Sequence, residues 1–401
     1  MKIRGTALGL FSILLATQVS AQPAAPAKPD PVRAMVKRLD LEKYKATIKG
    51  LTQFGDRRQG TQRNRDAINW IEAQLKSYGC TNTERLKYTF GDEPAHRVAP
   101  AAAPVAPVSE EPGLSAGGGR SRGFTRPTGV NTDPNLQPDL KLRALDTPPA
   151  VAGEREEVYC TKIGATHPNE MYIVAVHMDG IGWGEAANDD GSGTALVMEL
   201  ARVFSSPDVV TDRSIRFALW NNEETGLNGA RAYVDQRASL QGQELPAGSG
   251  KYPEPKWLGM IQHDMMLFDH GAPKADGSLS PVQRPEADIN IEFAATSKFA
   301  GAARELAYAL EAADERYATD YPASIGRHMT NTDSGPFQDV APAISMRENE
   351  RGAQIGSGWD PQWHQPTDLY KTYNDKDFLL GLNAAQTTLS GVATLAGATL
   401  K

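Results

Sequence analysis

The 401-residue sequence contains only two cysteines, Cys80 and Cys160. Two thiols are too few for a zinc site built from cysteine alone. Each cysteine flanks or lies in a segment with a strand pattern, and the two either form one disulfide or remain separate, semi-buried thiols. The sequence also has no H-E-x-x-H motif, which excludes the common single-zinc endopeptidases.

Long apolar runs are absent after residue 21, so we expect that the mature chain does not span a membrane. The first 21 residues have the three parts of a secretory signal: a basic start, an apolar run from Leu8 to Ala16, and the small-residue cleavage site Val-Ser-Ala at 19–21. We therefore predict a signal peptide at residues 1–21 and a periplasmic or secreted protein.

Basic residues are outnumbered by acidic ones, with 42 Lys and Arg against 49 Asp and Glu and a formal net charge of −7. Loss of the positive charges of Lys2 and Arg4 with the signal peptide brings the net charge to −9. A mildly acidic chain argues against nucleic acid or anionic lipid as its main partner.

Composition divides the rest of the chain. Residues 22–32 have the pattern of a Pro/Ala linker, and we predict a single domain over residues 33–401. Helices are predicted over about 33–50 and from Thr61, a capping residue, to Gly79. Residues 94–153 are rich in Pro, Ala and Gly and bury too little apolar surface to offset their ordering entropy, so we expect a long, mobile, low-complexity insertion between two strands.

After this insertion, strand and helix patterns alternate. The strand segments are EVYCTKI, MYIVAVH, SIRFALW, WLGMIQH, DINIEFA and APAISM, and helical patterns separate most of them. Because these strands are apolar throughout, both faces of the sheet should be covered. The pattern predicts an α/β fold with three layers, α/β/α, around a central, mostly parallel sheet.

Acidic and histidine side chains follow several of these strands. Ligands bind beyond the carboxyl ends of the strands in such sheets, and the residues expected there are His177, Asp179, Asp189, Asp190, Glu223, Glu224, Asp264, His364 and Asp368. Each residue alone has an ordinary structural explanation, such as a helix cap for the aspartates before Gly-Ser-Gly. Together they suggest a metal site, because buried carboxylates are costly unless they are paired or bind a cation. Two histidines with several carboxylates suit zinc or a similar divalent ion.

Four segments, in this order, resemble the dinuclear-zinc aminopeptidase family of the secreted bacterial leucyl-aminopeptidase type, whose relatives include glutamate carboxypeptidases. They are HMDGIGWGEAANDDGSG, NNEETGLNGARAYV, IQHDMM and PQWHQPTD. The resemblance covers residues 155–400, with a weaker match over 35–90. It implies a zinc exopeptidase fold with a mixed sheet and two Zn²⁺ per chain, which other divalent ions can replace.

The resemblance also implies a role for each residue. His177, Asp189 and Asp264 would hold one zinc, and Asp189, Glu224 and His364 would hold the other, so that Asp189 bridges the two. Glu223 would be the general base for a water between the ions, and Asp179 would accept a hydrogen bond from His177. The peptide bond between Asp189 and Asp190 is often cis in such proteins.

The segment SIGRHMTNTDSGPFQDVAPAISM is expected to face the substrate. Arg327, His328 and Asp333 are its candidates for substrate binding, together with Asn331. His328 is also an alternative to His364 as a metal ligand, although the HQPTD context favours His364.

These features predict an exported metallo-exopeptidase that hydrolyses the N-terminal peptide bond of peptides. The metal motifs leave open a carboxypeptidase or dipeptidase with the same chemistry. A glutaminyl cyclase, which normally lacks the histidine of the second metal, and an inactive binding homologue are further alternatives. The residue preference, the native metal and the oligomeric state are not determined by the sequence.

Overall fold

The computed structural model describes residues 30–91, 130–268, 270–273, 279–283, 289–318, 320–326, 332–348 and 360–401. The predicted signal peptide and the candidate residues Arg327, His328 and Asn331 lie outside these residues. So does most of the predicted insertion, up to residue 129. From Pro31 onward, the described residues belong to one compact unit.

Twelve strands are present among the described residues. They are β1 (Glu84–Phe90), β2 (Gly153–Lys162), β3 (His167–His177), β4 (Val209–Val210), β5 (Arg213–Trp220), β6 (Lys256–His263), β7 (His270–Pro273), β8 (Leu279–Gln283), β9 (Ile289–Phe293), β10 (Ala323–Gly326), β11 (Ala343–Glu348) and β12 (Thr399–Leu400). Eight of them form one sheet in the order β1-β2-β5-β3-β6-β11-β9-β10, and two small sheets pair β4 with β12 and β7 with β8.

The four central strands of the large sheet, β5, β3, β6 and β11, run parallel to one another. At one edge β1 and β2 pair antiparallel, and at the other edge β9 runs antiparallel to β11. The sheet is therefore mixed and mostly parallel, as predicted. The central strands are apolar on both sides because both faces of the sheet are covered.

Eight helices accompany the strands in the described part of the chain. They are α1 (Pro31–Val36), α2 (Leu41–Leu51), α3 (Gln62–Ser77), α4 (Leu140–Asp146), α5 (Gly191–Phe204), α6 (Asn228–Arg237), α7 (Ala300–Tyr317) and α8 (Asp375–Leu395). Alternate residues of β3 belong to different cores: Val174 and Val176 pack in the larger cluster with α2, α3, α5, α7 and α8, whereas Ile173 and Ala175 pack with α6. This arrangement confirms the three-layer α/β/α fold.

Local signals explain where several helices begin. Asp40 accepts hydrogen bonds from the N–H groups of Glu42 and Lys43 and so caps α2. This cap divides the single helix predicted over 33–50 into α1 and α2. The Thr61 side chain accepts from Asn64 N and caps α3, as predicted. Beyond the end of α3, Gly79 has a φ of +96°, a conformation that favours glycine.

Residues 130–153, at the end of the predicted insertion, include regular structure. They contain a 3₁₀ turn at Pro134–Leu136 and helix α4, whose Leu142 and Asp146 are buried. Polar contacts with the core compensate for the little apolar surface that the segment buries; for example, Asp146 accepts a hydrogen bond from Asp56 N at 3.1 Å. Composition alone does not reveal such contacts, and the regular structure of this part was not expected from the sequence.

Cys80 and Cys160 form a disulfide, which decides between the two alternatives left by the sequence. The bond links the segment before β1 to β2. Among the described helices, none combines the length and the apolar character that a membrane crossing requires.

Candidate metal centre

The parallel strands bring the predicted site residues to one edge of the sheet. His177 is the last residue of β3, and it pairs in register with Trp220, the last residue of β5. On the other side of β3, Val176 pairs with His263, the last residue of β6. Glu223 and Glu224 follow β5 after Asn221 and Asn222, and Asp264 follows β6 directly. The three strands therefore deliver their acidic residues side by side.

Asp189 lies between two histidines. Its Oδ1 is 3.4 Å from His177 Nε2, and its Oδ2 is 3.0 Å from His364 Nε2. His364 Nε2 is also 2.8 Å from Glu224 Oε2, and His177 Nε2 is 3.9 Å from Asp264 Oδ1. The structure thus brings together all five residues predicted to bind metal, arranged as two overlapping groups that share Asp189.

Asp190 also belongs to this cluster. Its Oδ1 accepts from Gly193 N at 2.8 Å and caps α5, whereas its Oδ2 lies 3.8 Å from His177 Nε2. Ligand atoms of His177, Asp190 and Asp264 lie within 4.8 Å of one another, as do those of His177, Asp189 and Glu224. From the sequence, Asp190 was expected to cap a helix, and the structure confirms this cap while placing Oδ2 beside His177.

The residues fit divalent cations. The oxygen atoms Asp190 Oδ2 and Glu224 Oε1 are buried and have no hydrogen-bond partner among the described residues. Burial raises the pKa of Glu224 to about 7, since a charged carboxylate is poorly solvated there. So many buried carboxyl groups are costly without a positive charge between them. Two imidazoles and several carboxylates form a donor set that is typical of zinc.

Asp179 contacts His177 differently from the expectation. The His177 ring nitrogen Nδ1 donates to the Asp179 backbone oxygen at 3.1 Å, while the nearer carboxylate oxygen of Asp179, Oδ1, is 3.8 Å away. That Oδ1 instead accepts from Glu223 N at 3.1 Å. Asp179 therefore orients the His177 ring through its main chain and the Glu223 backbone through its side chain.

Glu223 is 9% exposed. Burial raises the pKa of its carboxyl group well above the ordinary value, and although His177 opposes this shift, the charges of Asp333 and Glu224 add to it. A carboxylate with a raised pKa accepts a proton more readily than one in water. Glu223 does not belong to either group of clustered ligand atoms found in the described part of the chain.

The cis peptide bond expected between Asp189 and Asp190 is present. The Asp368 carboxylate holds the segment before it, because it accepts from Asn188 N at 2.8 Å and from Asp189 N at 3.1 Å. Tyr373 donates its hydroxyl to the same carboxylate at 3.0 Å. Asp368 thus fixes the backbone that carries Asp189.

Of the candidates for substrate binding, Asp333 is described. Its side chain is fully buried, and neither carboxylate oxygen has a hydrogen-bond partner within the described ranges. Burial raises its pKa well above the ordinary value. Because its charge raises the pKa of Glu223, Asp333 lies within electrostatic reach of the candidate base.

The sequence interpretation missed Arg347, a buried arginine near the carboxyl end of β11. Its guanidinium donates to Asp264 Oδ2, the oxygen that is not paired with His177. A charged residue at the end of the apolar strand segment APAISM was the available signal, since such a residue needs a buried partner.

The sequence model of peptidase family M28 matches residues 158–380, which is more than half of the chain. Among curated proteins, the probable lipoprotein aminopeptidase LpqL of Mycobacterium tuberculosis is 31% identical over 239 residues, covering 58% of this chain and 43% of the relative. This match and those to two other curated aminopeptidases cover between 14% and 43% of the relatives' lengths.

Solved structures share the fold. The aminopeptidase from Aneurinibacillus sp. strain AM-1 superposes with a TM-score of 0.57 at 19% identity, covering 91% of this chain and 96% of the other. The glutaminyl cyclase of Porphyromonas gingivalis gives a TM-score of 0.51 at 14% identity, covering 90% and 99%. Since the same fold carries two activities, the function has to be argued from the site.

Proposed function

Because this chain belongs to peptidase family M28, we propose that it is an exported, zinc-dependent aminopeptidase that removes N-terminal residues from peptides. The observation that carries the proposal is the position of Asp189, with one carboxylate oxygen toward His177 and the other toward His364. A short carboxylate placed in this way suits a pair of cations that share it as a ligand.

The proposal assigns two metal positions. His177, Asp189 and Asp264 would hold one cation, and Asp189, Glu224 and His364 would hold the other. Two divalent cations, when bound, supply Lewis acidity that polarises a peptide carbonyl and lowers the pKa of a water molecule. The hydrogen bond from His177 Nδ1 to the Asp179 carbonyl leaves Nε2 as the nitrogen available to a metal.

Glu223 is assigned as the general base. Asp179 fixes its backbone, and its raised pKa favours proton acceptance. In this role Glu223 takes a proton from the attacking water and then donates it to the amine that leaves. Proton transfer by a positioned side chain typically contributes about 10²–10⁴-fold to the rate.

Export is the second part of the proposal. The predicted signal peptide at residues 1–21 is supported by the Cys80–Cys160 disulfide, because disulfides persist mainly in oxidising compartments such as the periplasm or the extracellular space. Residues 22–32 are proposed as the linker that precedes a catalytic domain at 33–401. Recovery of the activity from the periplasm or the medium, rather than from the cytoplasm, would test this localisation.

A peptide panel tests the activity. Peptides with a free N-terminus should lose their first residue, N-acetylated versions of the same peptides should stay intact, and a chelator should abolish cleavage until zinc is restored. Equal cleavage of both sets would contradict the aminopeptidase assignment and favour a carboxypeptidase. Loss of ammonia from peptides that begin with glutamine, without hydrolysis, would favour a glutaminyl cyclase.

A further inference from the structure

The two histidines of the candidate metal centre are held in different ways. His177 donates from Nδ1 to the Asp179 carbonyl, whereas His364 Nδ1 is buried and has no hydrogen-bond partner among the described residues. A histidine that binds metal is usually oriented by a hydrogen bond at its other ring nitrogen. Within the described part of the chain, the contacts that orient His364 are therefore those of its backbone and of the face of its ring.

The backbone of His364 is tightly constrained. Its φ is +57°, a left-handed conformation that is uncommon for a residue other than glycine. Its carbonyl accepts a hydrogen bond from Asn131 N at 3.0 Å. Gly182 packs against the same carbonyl so closely that a Cβ at position 182 would lie 2.4 Å from it. The His364 ring stacks on Trp363, with 4.0 Å between the ring centroids.

Gln137 connects the two loops that meet at this point. Its side chain is buried, and Nε2 donates to the Trp183 carbonyl at 2.7 Å and to the Pro366 carbonyl at 3.0 Å. Its Oε1 accepts from Asp139 N at 3.1 Å. Residues 131–139, which we call the strap, thus lie across the loop that carries Gly182 and the loop that carries His364.

We propose that the strap positions His364 for metal binding, and that Gln137 is its central positioning residue. The strap would orient His364, as the Asp179 carbonyl orients His177. It would therefore set the affinity of the metal position formed by Asp189, Glu224 and His364. This inference rests on the proposed two-metal function and deepens it, because it connects the end of the predicted insertion to one of the two positions.

Changes at Gln137 should act on one metal position only. Gln137→Ala removes both donated hydrogen bonds, and Gln137→Glu keeps the shape but places an acceptor against two carbonyl oxygens. Loss of a partner that orients a ligand typically weakens metal binding about 10–100-fold. The metal position formed by His177 and Asp264 should keep its affinity for zinc, because the contacts that orient these two residues do not involve the strap.

Zinc titration of the metal-free full chain by calorimetry tests this inference. Wild type should bind two ions, and both Gln137 variants should bind one normally and the other about 10–100-fold more weakly. Gln243→Glu is the matched control, because Gln243 also donates Nε2 to a backbone carbonyl, that of Ser239 at 2.7 Å, but is exposed. The control should titrate like wild type. With Co²⁺ as the probe, the absorption of only one of the two ions should change in the Gln137 variants.

Two results would overturn this inference without contradicting the proposed function. In the first, the Gln137 variants bind both ions as wild type does. In the second, they bind both ions equally weakly and also have a lower thermal midpoint. A wild-type chain that binds fewer than two ions would contradict the proposed function and this inference with it. If the Gln137 variants do not fold, Gly182→Ala displaces the His364 carbonyl directly, because its Cβ would lie 2.4 Å from that carbonyl, and should produce the same loss at one position.

Discussion

Arg347 and Asp264 form a buried ion pair at the edge of the candidate metal centre. The guanidinium donates to Oδ2 of the carboxylate, while Oδ1 lies 3.9 Å from His177 Nε2. The side chains of both residues are only 5% exposed. Although burial opposes it, the positive charge of Arg347 lowers the pKa of Asp264. Asp264 is therefore kept ionised and has one oxygen left for a cation.

Arg347→Met should destabilise the metal-free protein far more than the metal-bound one. Breaking a buried ion pair by removing one partner typically costs about 3–5 kcal/mol, because the other charge stays buried and uncompensated. A divalent cation next to Asp264 would offset part of that cost. The difference in thermal midpoint between the zinc-loaded and the chelator-treated protein should therefore be larger for the variant than for wild type.

The control for this experiment is Arg213→Met. Arg213 pairs with Glu170 at 2.8 Å, but both side chains are about one-third exposed, and such surface pairs contribute roughly 0–1 kcal/mol. An Arg347 variant that melts like the Arg213 variant in both conditions would show that Asp264 does not depend on this pairing.

The two adjacent glutamates should separate turnover from metal binding. Glu223→Gln should keep two metals per chain and lose about 10²–10⁴-fold in kcat, because it loses the proton acceptor. Glu224→Ala should lose one of the two metals. Metal analysis of the purified variants and initial rates on one peptide check both expectations. Near-normal kcat in Glu223→Gln would refute the assignment of the base.

His263 should make stability depend on pH. Its Nδ1 donates to the Ala175 carbonyl at 3.1 Å, and its Nε2 accepts from Thr388 Oγ1 at 2.8 Å, so the folded state holds the ring neutral. Burial lowers its pKa from 6.5 to about 4. Between these values the unfolded state binds more protons, and stability is lost as the pH falls. Relative to neutral pH, this histidine should lower the free energy of unfolding by about 3 kcal/mol near pH 4.

Urea unfolding of the metal-free protein between pH 4 and 7 isolates this effect. The stability difference between wild type and His263→Gln should shrink by about 3 kcal/mol across the range, because glutamine does not titrate. His167→Gln, at an exposed position, should keep the wild-type dependence. A difference that stays constant with pH would mean that His263 does not titrate in this way.

The disulfide should contribute strongly to stability. Cys80 and Cys160 are 80 residues apart, and closing a loop of that length lowers the entropy of the unfolded chain by the equivalent of about 4.5 kcal/mol. Cys80→Ala alone should cost as much as the double substitution, since either one removes the link. If the cysteine variants had the same urea midpoint as the oxidised wild type, this expectation would be contradicted.

The fold and the gathering of acidic and histidine residues at one edge of the sheet could be predicted from local patterns, whereas the assignment of metal ligands among them rests on the family resemblance. Apolar strands separated by helical patterns indicate a covered, mostly parallel sheet, and the end of each strand shows which residues reach its edge. His177 and Asp264 could be placed in this way because strand register fixes their positions. Glu223 and Glu224 come within four residues of the end of β5, so the same reasoning brought them to the site.

Contacts between distant segments could not be predicted. The strap hydrogen-bonds through Gln137 to carbonyls at positions 183 and 366, and backbone carbonyls leave no trace in the side-chain sequence. The same limit applies to Asp179, whose backbone rather than its carboxylate receives the His177 hydrogen bond. Arg347 pairs with Asp264, which lies 83 positions away and directly after the neighbouring strand β6, and only the sheet order reveals this proximity.

Anomalous X-ray diffraction at the zinc edge, from crystals of the zinc-loaded chain, tests the central claim most directly. The predicted map has two peaks about 3.5–4 Å apart, one on each side of the Asp189 carboxylate. One peak should lie within bonding distance of His177 and Asp264, and the other of Glu224 and His364. A single peak, or no peak beside Asp189, would contradict the two-metal account.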